Sequence, residues 1–541
     1  MSPMCHYKHP NFVAEFAKIR GYYFPEVLRL RLQGDDEMKK IILSTNIICL
    51  VLGMAFFSLA STKDKPDYNL VFENANILSF HITVNREDWL KMWDSPFKYV
   101  KCTIRFGDEV YQDVGIRFKG NSSTSVRGLK KSYKFKFDEY IKQSFHGFKT
   151  LNFNNGFKDP SLLREKLAYD LFREAGAPAP RVTFAKLYLT IPGEYNEEYI
   201  GLFTLVEQVD KVFLDAQFAD TTGNLFKGEA MSALTYIGDD PKRYEREYEV
   251  KLNEKQWDYS VLMRFIKMLN ETPEEKFPLE IENTFNVEKF LSWLAVNTLL
   301  SNLDSYAGTG HNYYLYFNTS TGKVEFIPWD VNEAFGNFQM GSAQDMMELD
   351  IYEPYAKPKI LIERILRVPK FKERYIEKIK ILLDGPFQQN AMYQKIDALY
   401  QKIEKDVQLD MWKDFPTEDF KRSIEQHIQS QQRPRVDIVI GLKPFVAERI
   451  KSVKAQLTGR KRGFVPRSFK PPSGRDFPPI PDELSGKLDE LHRLMEEKLN
   501  EGIDITEAKK LDAKSKEYVQ RGDMKGAINL ISKAIDLLKP K

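Results

Sequence analysis

Two short acidic side chains, Asp304 and Asp330, flank a predicted β-hairpin and have the chemistry to bind a metal ion and accept a proton. The polar, glycine-containing segment 302–312 leads into an apolar strand at Tyr313–Asn318, and a second strand at Val324–Pro328 ends just before Asp330. Because the two open ends of a hairpin lie side by side, the backbone can bring both carboxylates close together. Carboxylate oxygens suit Mg²⁺, and a second carboxylate near that ion can take a proton from an attacking hydroxyl. The structural alternative is that Asp304 caps a turn and Asp330 ends a strand.

The motifs around these residues, NLDSY, HNYYLYFN and PWDVNEAFG in that order, resemble those of the CotH kinase family, the spore-coat-protein-H-like atypical protein kinases. The resemblance extends over residues 75–455. It implies that Asp304 orients and deprotonates the acceptor hydroxyl, that Asn312 is a metal ligand in the same loop, and that Asp330 binds the metal ion. The implied cofactors are ATP and Mg²⁺ or Mn²⁺. The spacing from Asp304 to Asn312 exceeds that in the catalytic loop of ordinary kinases, so the division of labour within the centre stays open.

A small polar segment after a predicted strand is a candidate phosphate-binding loop. It contains Gly120, Ser122 and Ser123, and its backbone N–H groups could bind a phosphate. A plain hairpin turn is the alternative.

The strand that follows this loop alternates strictly, so Lys134 and Lys136 share one face while aromatic residues occupy the other. Because kinases keep a phosphate-binding lysine in this neighbourhood, we expect Lys134, and after it Lys136, to bind the phosphates of ATP. Arg117 and Lys119 on the preceding strand are expected to add positive charge to the same face. A solvated basic face is the alternative.

Three further site residues follow from the resemblance. A helix over residues 162–176, opened by Asp159-Pro160-Ser161, offers Glu165 as the partner of the phosphate lysine, although an ordinary surface ion pair is the alternative. A strand ending at Val206 runs through a short polar segment into a helix, as at the kinase hinge. Glu207 and Val209 are the positions that match the adenine-binding backbone.

The pattern along the chain predicts an α+β fold. Short strands dominate from residue 77 to residue 206, with one main helix among them, and helices dominate later, at Trp257–Asn270, Val287–Leu300, Ile360–Asp384 and in two further segments. This order predicts an atypical protein-kinase-like, two-lobed fold with a β-rich N-lobe and a mainly helical C-lobe, within residues 75–458.

The regions outside this domain have their own character. Residues 38–61 carry two lysines, an apolar run and a small-residue cleavage pattern, which predicts either a secretory signal peptide or, if residues 41–61 stay uncleaved, a membrane anchor. Residues 1–37 are an N-terminal extension of uncertain status. Residues 459–481, rich in proline, glycine and arginine, predict an extended linker, and residues 482–541 predict a helical, tetratricopeptide-like appendage that could bind another protein.

Composition limits the function classes. The net charge of +3, from 80 basic and 77 acidic residues, gives no global field for nucleic acid, and no Walker loop, HExxH motif or GxSxG motif is present. The sequence therefore predicts an exported kinase that transfers the γ-phosphate of ATP to Ser or Thr of a protein substrate, at a cell surface or in a spore coat. The alternatives are a non-catalytic surface adhesin or coat-assembly scaffold, and a metal-dependent phosphohydrolase.

Overall fold

The computed structural model describes residues 65–467, with gaps at 121–122, 124–125, 127, 230, 253–257 and 430–437, and, of the C-terminal region, scattered residues between 483 and 515 and the segment 524–539. Residues up to 67 form one unit and residues 68–541 another, and all elements described below belong to the second. The predicted signal or anchor segment 38–61 and the extension 1–37 lie outside the described residues. No helix among the described residues is long and apolar enough to cross a lipid bilayer.

Seven strands of the first half close into a barrel. They are β1 (Leu78–Thr83), β2 (Val100–Phe106), β3 (Glu109–Phe118), β4 (Tyr133–Lys136), β5 (Thr150–Asn154), β6 (Val182–Ile191) and β7 (Tyr195–Glu207). The strand order is β1-β2-β3-β4-β5-β7-β6, and parallel pairing of β1 with β6 completes the circle. Strand alternation places Tyr133, Phe135 and Phe137 in the apolar interior, as the sequence pattern predicts, because successive side chains of a strand point to opposite faces.

Helices flank and connect the barrel strands. Two short helices, α1 (Tyr68–Val71) and α2 (Arg86–Asp94), precede β2, and α3 (Arg164–Glu174) connects β5 to β6. The helix α3 begins later than predicted: no side chain caps its N-terminus directly, and Asp159 instead accepts the backbone N–H of Arg164 at 2.9 Å from five residues earlier.

The second half of the domain packs helices around a four-stranded sheet. Helix α4 (Lys211–Phe218) leads to β8 (Leu225–Gly228) and β9 (Tyr248–Leu252), which join the hairpin β10 (Tyr313–Asn318) and β11 (Lys323–Pro328) in the order β11-β10-β8-β9. Helices α5 (Tyr259–Glu271) and α6 (Phe277–Thr284) precede α7 (Val287–Leu299), which is buried from Phe290 to its end. Because α7 is apolar on every side, it forms the centre of this half rather than its surface.

Six further helices follow the β10–β11 hairpin between residues 343 and 457 of the described chain, and Pro369–Asp384 makes the most extensive contact with α7 among them. They are α8 (Ala343–Met347), α9 (Ile360–Arg367), α10 (Pro369–Asp384), α11 (Gln389–Leu409), α12 (Thr417–Glu425) and α13 (Leu442–Leu457), with a small hairpin, β12 (Ile428–Gln429) and β13 (Ile438–Val439), before the last. The single helix predicted over 360–384 is two helices, because Pro369 lacks the N–H that would continue α9 and instead starts α10.

The predicted linker begins too early in the sequence. Phe464 exchanges backbone hydrogen bonds of 2.8 Å with Glu348 and Asp350, and Lys461 forms a 2.6 Å ion pair with Glu348. Residues 461–464 are therefore part of the packed domain. Most of the predicted linker and appendage lies outside the described residues, but helix Met524–Leu538 forms a separate apolar cluster with residues such as Leu491 and Ile505.

Candidate active site

The open end of the β10–β11 hairpin carries Asn312 and Asp330. Both residues adopt left-handed backbone conformations, with φ of 60° and 53°. Asn and Asp tolerate this region better than most residues do, so their types suit their positions. The N–H of Trp329 donates to the carbonyl of Asn312 at 3.0 Å, which holds the two ends of the hairpin side by side.

Asp304 is held by residues of its own loop, chiefly His311 and Asn312, with a longer contact of 3.5 Å from the Thr309 hydroxyl. Nε2 of His311 lies 3.0 Å from Oδ1 of Asp304, and the Asn312 amide donates to the Asp304 carbonyl at 2.9 Å and to its Oδ2 at 3.3 Å. Burial opposes protonation of His311, but the hydrogen bond and the charge of Asp304 outweigh it and raise the His311 pKa. The charge of Asp330 acts on His311 in the same direction, so the two carboxylates belong to one electrostatic centre.

The loop that carries Asp304 is rigidly built. A Cβ atom on Gly308 would lie 1.9 Å from the carbonyl oxygen of Leu303, so only glycine allows this close approach. Just before the loop, the buried guanidinium of Arg449 donates to the carbonyls of Thr298 and Leu299 at the C-terminal end of α7, at 2.8 and 3.3 Å. These contacts satisfy the carbonyls that a helix end leaves without partners, and they fix the point from which the loop departs.

The half-buried amide of Asn154 connects the positive and negative groups of the site. Nζ of Lys119 donates to Oδ1 of Asn154 at 2.5 Å, and Nδ2 of Asn154 donates to Oε1 of Glu165 at 2.7 Å. Lys119 follows β3, Asn154 ends β5, and Glu165 is in the first turn of α3. The barrel and α3 therefore bring these three residues together from distant parts of the sequence.

The charges of this site only partly compensate each other. Burial raises the pKa of Glu165 to about 8, and the nearby charge of Asp330 adds to this increase, while Lys119 opposes it. Burial lowers the pKa of Lys119, against the attraction of Asp330 and Glu165. Among the described residues, no hydrogen bond or ion pair reaches the carboxylate oxygens of Asp330, although its N–H donates to the Tyr169 hydroxyl at 3.0 Å.

The segment after Asp330 is fastened to the start of α3. The buried guanidinium of Arg164 donates to the carbonyls of Ala334 and Phe335 at 3.3 Å, and Asn337 donates to the carbonyl of Lys158 at 2.8 Å. Since Glu165 is the neighbour of Arg164, these bonds set the position of Glu165 relative to Asp330.

The two lysines predicted to bind phosphate have partners within the protein. Nζ of Lys134 donates to Oε1 of Gln208 at 2.9 Å, and burial, together with the charges of Arg117 and Lys119, lowers the pKa of Lys134 to about 7. Lys136 forms a 2.7 Å ion pair with Glu139 at the surface. The charge of Lys119 opposes the increase in the Glu165 pKa and is itself favoured by Asp330, whereas phosphate binding by Lys134 and Lys136 stays a prediction.

Of the predicted loop residues, Ser122 lies outside the described residues. The hydroxyl of Ser123 donates to the carbonyl of Lys119 at 3.2 Å, which is an internal bond of the loop.

The predicted hinge residues Glu207 and Val209 use some of their polar groups within the protein, and adenine binding by the rest stays a prediction. The carboxylate of Glu207 accepts the backbone N–H of Arg181 at 2.9 Å, and its own N–H donates to the Arg181 carbonyl at 3.0 Å. Val209 is buried, and its carbonyl accepts the Gln208 amide at 3.1 Å. Neither the N–H nor the carboxylate of Glu207 is therefore free for a ligand.

Sequence reasoning gave no site role to Asn154, Tyr169 and Lys227. Lys227 pairs with Glu229 at 2.6 Å, and its charge acts on both Lys119 and His311. The sequence predicts Lys119 only as added positive charge on the face of Lys134, because its contact with Asn154, which in turn binds Glu165, depends on long-range packing.

The donor set fits a magnesium ion that is shared with a phosphate ligand. Among the described residues, no group of three or more His, Cys, Asp or Glu side chains forms a metal site. Mg²⁺ is usually held by one or two carboxylates together with phosphate oxygens, and the carboxylate of Asp330 has no partner of its own. Asn312 donates through its amide nitrogen to Asp304, which leaves its amide oxygen as a second ligand.

Comparisons with known proteins match most of this region. The CotH family model, described as CotH kinase protein, matches residues 116–435. Inner spore coat protein H of Bacillus subtilis is 31% identical over 318 residues, which cover 57% of this chain and 82% of that protein. Two proteins of Rhizopus delemar, spore coat protein homolog 1 and invasin CotH2, are 21% and 22% identical over 47% and 50% of this chain, and the matches span only 41% and 47% of their own lengths.

Among solved structures, the Helicobacter pylori proinflammatory kinase CtkA aligns over 59% of this chain and 93% of its own, at 10% identity and a TM-score of 0.20, a score that does not establish a common fold. The sequence match stands without it: the family model covers more than half of the chain, and the Bacillus protein is matched over most of its length. The chain belongs to the CotH family.

Proposed function

We propose that the protein is an atypical protein kinase that transfers the γ-phosphate of ATP to a serine, or threonine, hydroxyl of a protein substrate. The observation that carries this proposal is the partly compensated cluster of Lys119, Glu165 and Asp330, which faces the charge of a second carboxylate, Asp304. Glu165 is buried with a raised pKa close to the charge of Asp330, and a metal ion held with a phosphate ligand would supply further positive charge to this pair.

Each residue has a role that follows from its contacts. Asp304, oriented by His311 and Asn312, accepts the proton of the acceptor hydroxyl. Asp330 and the amide oxygen of Asn312 hold Mg²⁺ or Mn²⁺. When bound, that ion offsets negative charge on the phosphate oxygens. Lys119 contributes a second positive charge near Asp330, and Asn154 fixes its ammonium group relative to Glu165.

In this proposal the barrel is the N-lobe and the helical half is the C-lobe of a kinase-like fold. The barrel contributes Lys119 and Asn154, and the helical half contributes Asp304, Asn312 and Asp330. Lys134 and Gln208 form the border of the nucleotide site on the side of β7.

The proposed setting is the outside of the cell, in a coat or at a surface. The relatives are named spore coat proteins and invasins, and the sequence carries a predicted export signal at residues 38–61. The proposed partner is a protein with serine acceptors, and neither nucleic acid nor membrane is required for the reaction.

The test is incorporation of labelled γ-phosphate into a serine-rich, basic protein by the purified chain, with Mg²⁺ and with Mn²⁺. We expect transfer by the unchanged protein and a loss of about 10³-fold in Asp304→Asn, because an amide cannot accept the proton. Asp239→Asn is the matched control, since Asp239 is an exposed carboxylate paired with Lys267.

A folded protein that shows neither transfer nor an ATP-induced rise in melting temperature would contradict the proposal. The names of the Rhizopus relatives favour a surface adhesin or scaffold as the second candidate in that case. Release of inorganic phosphate without labelling of any protein would instead indicate a phosphohydrolase.

A further inference from the structure

A short segment that follows α11 packs against the glycine-containing loop between β3 and β4 and forms an ion pair with it. We call this segment, residues 410–414, the clasp. It lies about 80 residues beyond Asp330 in the sequence and contributes no residue to the acidic centre. Its main contacts are with Lys130 and Gly128 in the loop and with Leu202 in β7.

The first part of the clasp is a buried ion pair. Asp410 and Lys130 are fully enclosed, with side-chain exposures of 0% and 1%, and Nζ of Lys130 donates to Oδ2 of Asp410. The same carboxylate oxygen accepts the N–H of Leu202 at 3.2 Å, and Lys130 also donates to the Leu202 carbonyl at 2.8 Å. A Cβ atom on Gly201 would lie 2.1 Å from that oxygen, so β7 allows this approach only because glycine precedes Leu202.

The second part of the clasp is the indole ring of Trp412, which packs against the loop. A Cβ atom on Gly128 would lie 2.8 Å from Cε3 of Trp412, so the backbone of the loop rests directly on the indole ring. The indole Nε1 donates to Glu198 at 2.9 Å, and the backbone N–H of Trp412 donates to Oδ1 of Asp410 at 3.1 Å. The ring is therefore fixed in place by its own hydrogen bonds.

The loop residues held by the clasp are hydrogen-bonded to residues at or next to the site. The carbonyl of Lys130 accepts the Asn155 amide at 2.9 Å, next to Asn154, and the carbonyl of Ser132 accepts the N–H of Lys119 at 2.9 Å. The stem of the loop is thus connected both to the cation of the site and to the amide that orients it.

We propose that the clasp is a positioning element for the phosphate-binding side of the site, with Asp410 and Trp412 fixing the loop stem from which Lys119 projects. The inference rests on the proposed function for its effect on nucleotide binding, but not for its effect on the loop. The segment after α11 thereby has a role in the reaction, although it is far from the acidic residues in the sequence.

The test compares hydrogen exchange of the backbone amides at 128–133 in the full chain, with melting temperature and the KM for ATP as parallel measurements. We expect Trp412→Leu to speed exchange at these amides at least tenfold and to raise the KM for ATP severalfold, with a smaller change in kcat. Met411→Ala is the matched control, because Met411 belongs to the same turn and is 83% exposed. It is expected to change neither quantity.

A second variant provides the same test if Trp412→Leu does not fold. Lys130→Met combined with Asp410→Leu removes both charges and leaves no buried charge without a partner. It is expected to stay folded and to show the same faster exchange. Unchanged exchange in whichever of these variants folds would overturn the proposal, whether or not the protein transfers phosphate. Faster exchange in a protein that proves to have no transferase activity would support the clasp and reject only the proposed function.

Discussion

Two groups of buried charges in this protein are built in opposite ways. Arg449, next to the end of α7, is fully buried, and its guanidinium donates to four backbone carbonyls, those of Thr298, Leu299, Met347 and Leu349. At the acidic centre, Glu165 is equally buried, yet the charge of Asp330 disfavours its ionisation, and the Asp330 carboxylate has no hydrogen bond among the described residues. Every nitrogen of the Arg449 guanidinium has an acceptor, whereas the Asp330 carboxylate has no hydrogen bond among the described residues.

The difference separates structural charges from functional ones. A buried charge with every donor or acceptor engaged contributes to a rigid packing arrangement, and removing it leaves other polar groups without partners. A buried carboxylate whose ionisation is opposed by a second carboxylate lowers stability, and such pairs persist where a ligand supplies the missing charge. The four predictions below test this contrast.

The largest effect is expected at Asp330. In Asp330→Asn, we expect phosphate transfer to fall about 10³-fold, because a neutral amide is a poor ligand for Mg²⁺. The melting temperature should stay the same or rise, since the substitution removes the charge that opposes ionisation of Glu165. Transfer assays and thermal unfolding of the same preparation measure both quantities. Unfolding of the variant would show that Asp330 is a structural residue.

The opposite pattern is expected at Arg449. Arg449→Leu should lower the free energy of unfolding by about 3 kcal/mol, because four carbonyls lose a charged donor. Denaturant unfolding measures this change, and Arg460→Leu, at an exposed arginine of the same region, should change it by less than about 0.5 kcal/mol. Equal stability of the two variants would remove the contrast drawn above.

The two lysines of the barrel should differ in their effect on catalysis. Lys119→Met is expected to reduce transfer about 10²-fold, because it removes the cation coupled to Asp330 and Glu165. Lys134→Met should reduce it less than about tenfold, since Lys134 binds Gln208 instead. Steady-state rates at saturating ATP decide the order. A larger effect at Lys134 would restore the assignment made from the sequence.

The smallest expected effect is on the pH dependence of the free energy of unfolding. The pKa of Glu165 rises to about 8 in the folded protein, so between about pH 4.5 and 8 the folded state holds a proton that the unfolded state has lost. Stability should therefore fall as pH rises through this window. Glu165→Gln, which stays neutral, should weaken that fall by on the order of 2 kcal/mol. Denaturant unfolding at pH 5, 6.5 and 8 measures it, and identical pH profiles for the two proteins would contradict the raised pKa.

Most strands and helices follow from local pattern. The alternation at Tyr133–Lys136, the apolar run Val287–Leu299 and the hairpin that ends at Asp330 are where the sequence predicts them. Their signals are periodicity, turn residues and apolar content, which act over a few residues. The closure of the barrel between β1 and β6 was not predictable in this way, because strands about 100 residues apart in the sequence pair there.

The sequence alone determined the family, the central hairpin, and the placement of Asp304, Asn312 and Asp330 around it, because neighbours in a short segment stay close in any fold. The tertiary structure decided which lysine lies beside the acidic centre. Lys119 and Lys134 both lie in short basic and aromatic segments, but they have different partners in the folded protein. Lys119 binds Asn154, which in turn binds Glu165, whereas Lys134 binds Gln208. Such pairings depend on long-range packing, in which desolvation and charge act between residues far apart in the chain.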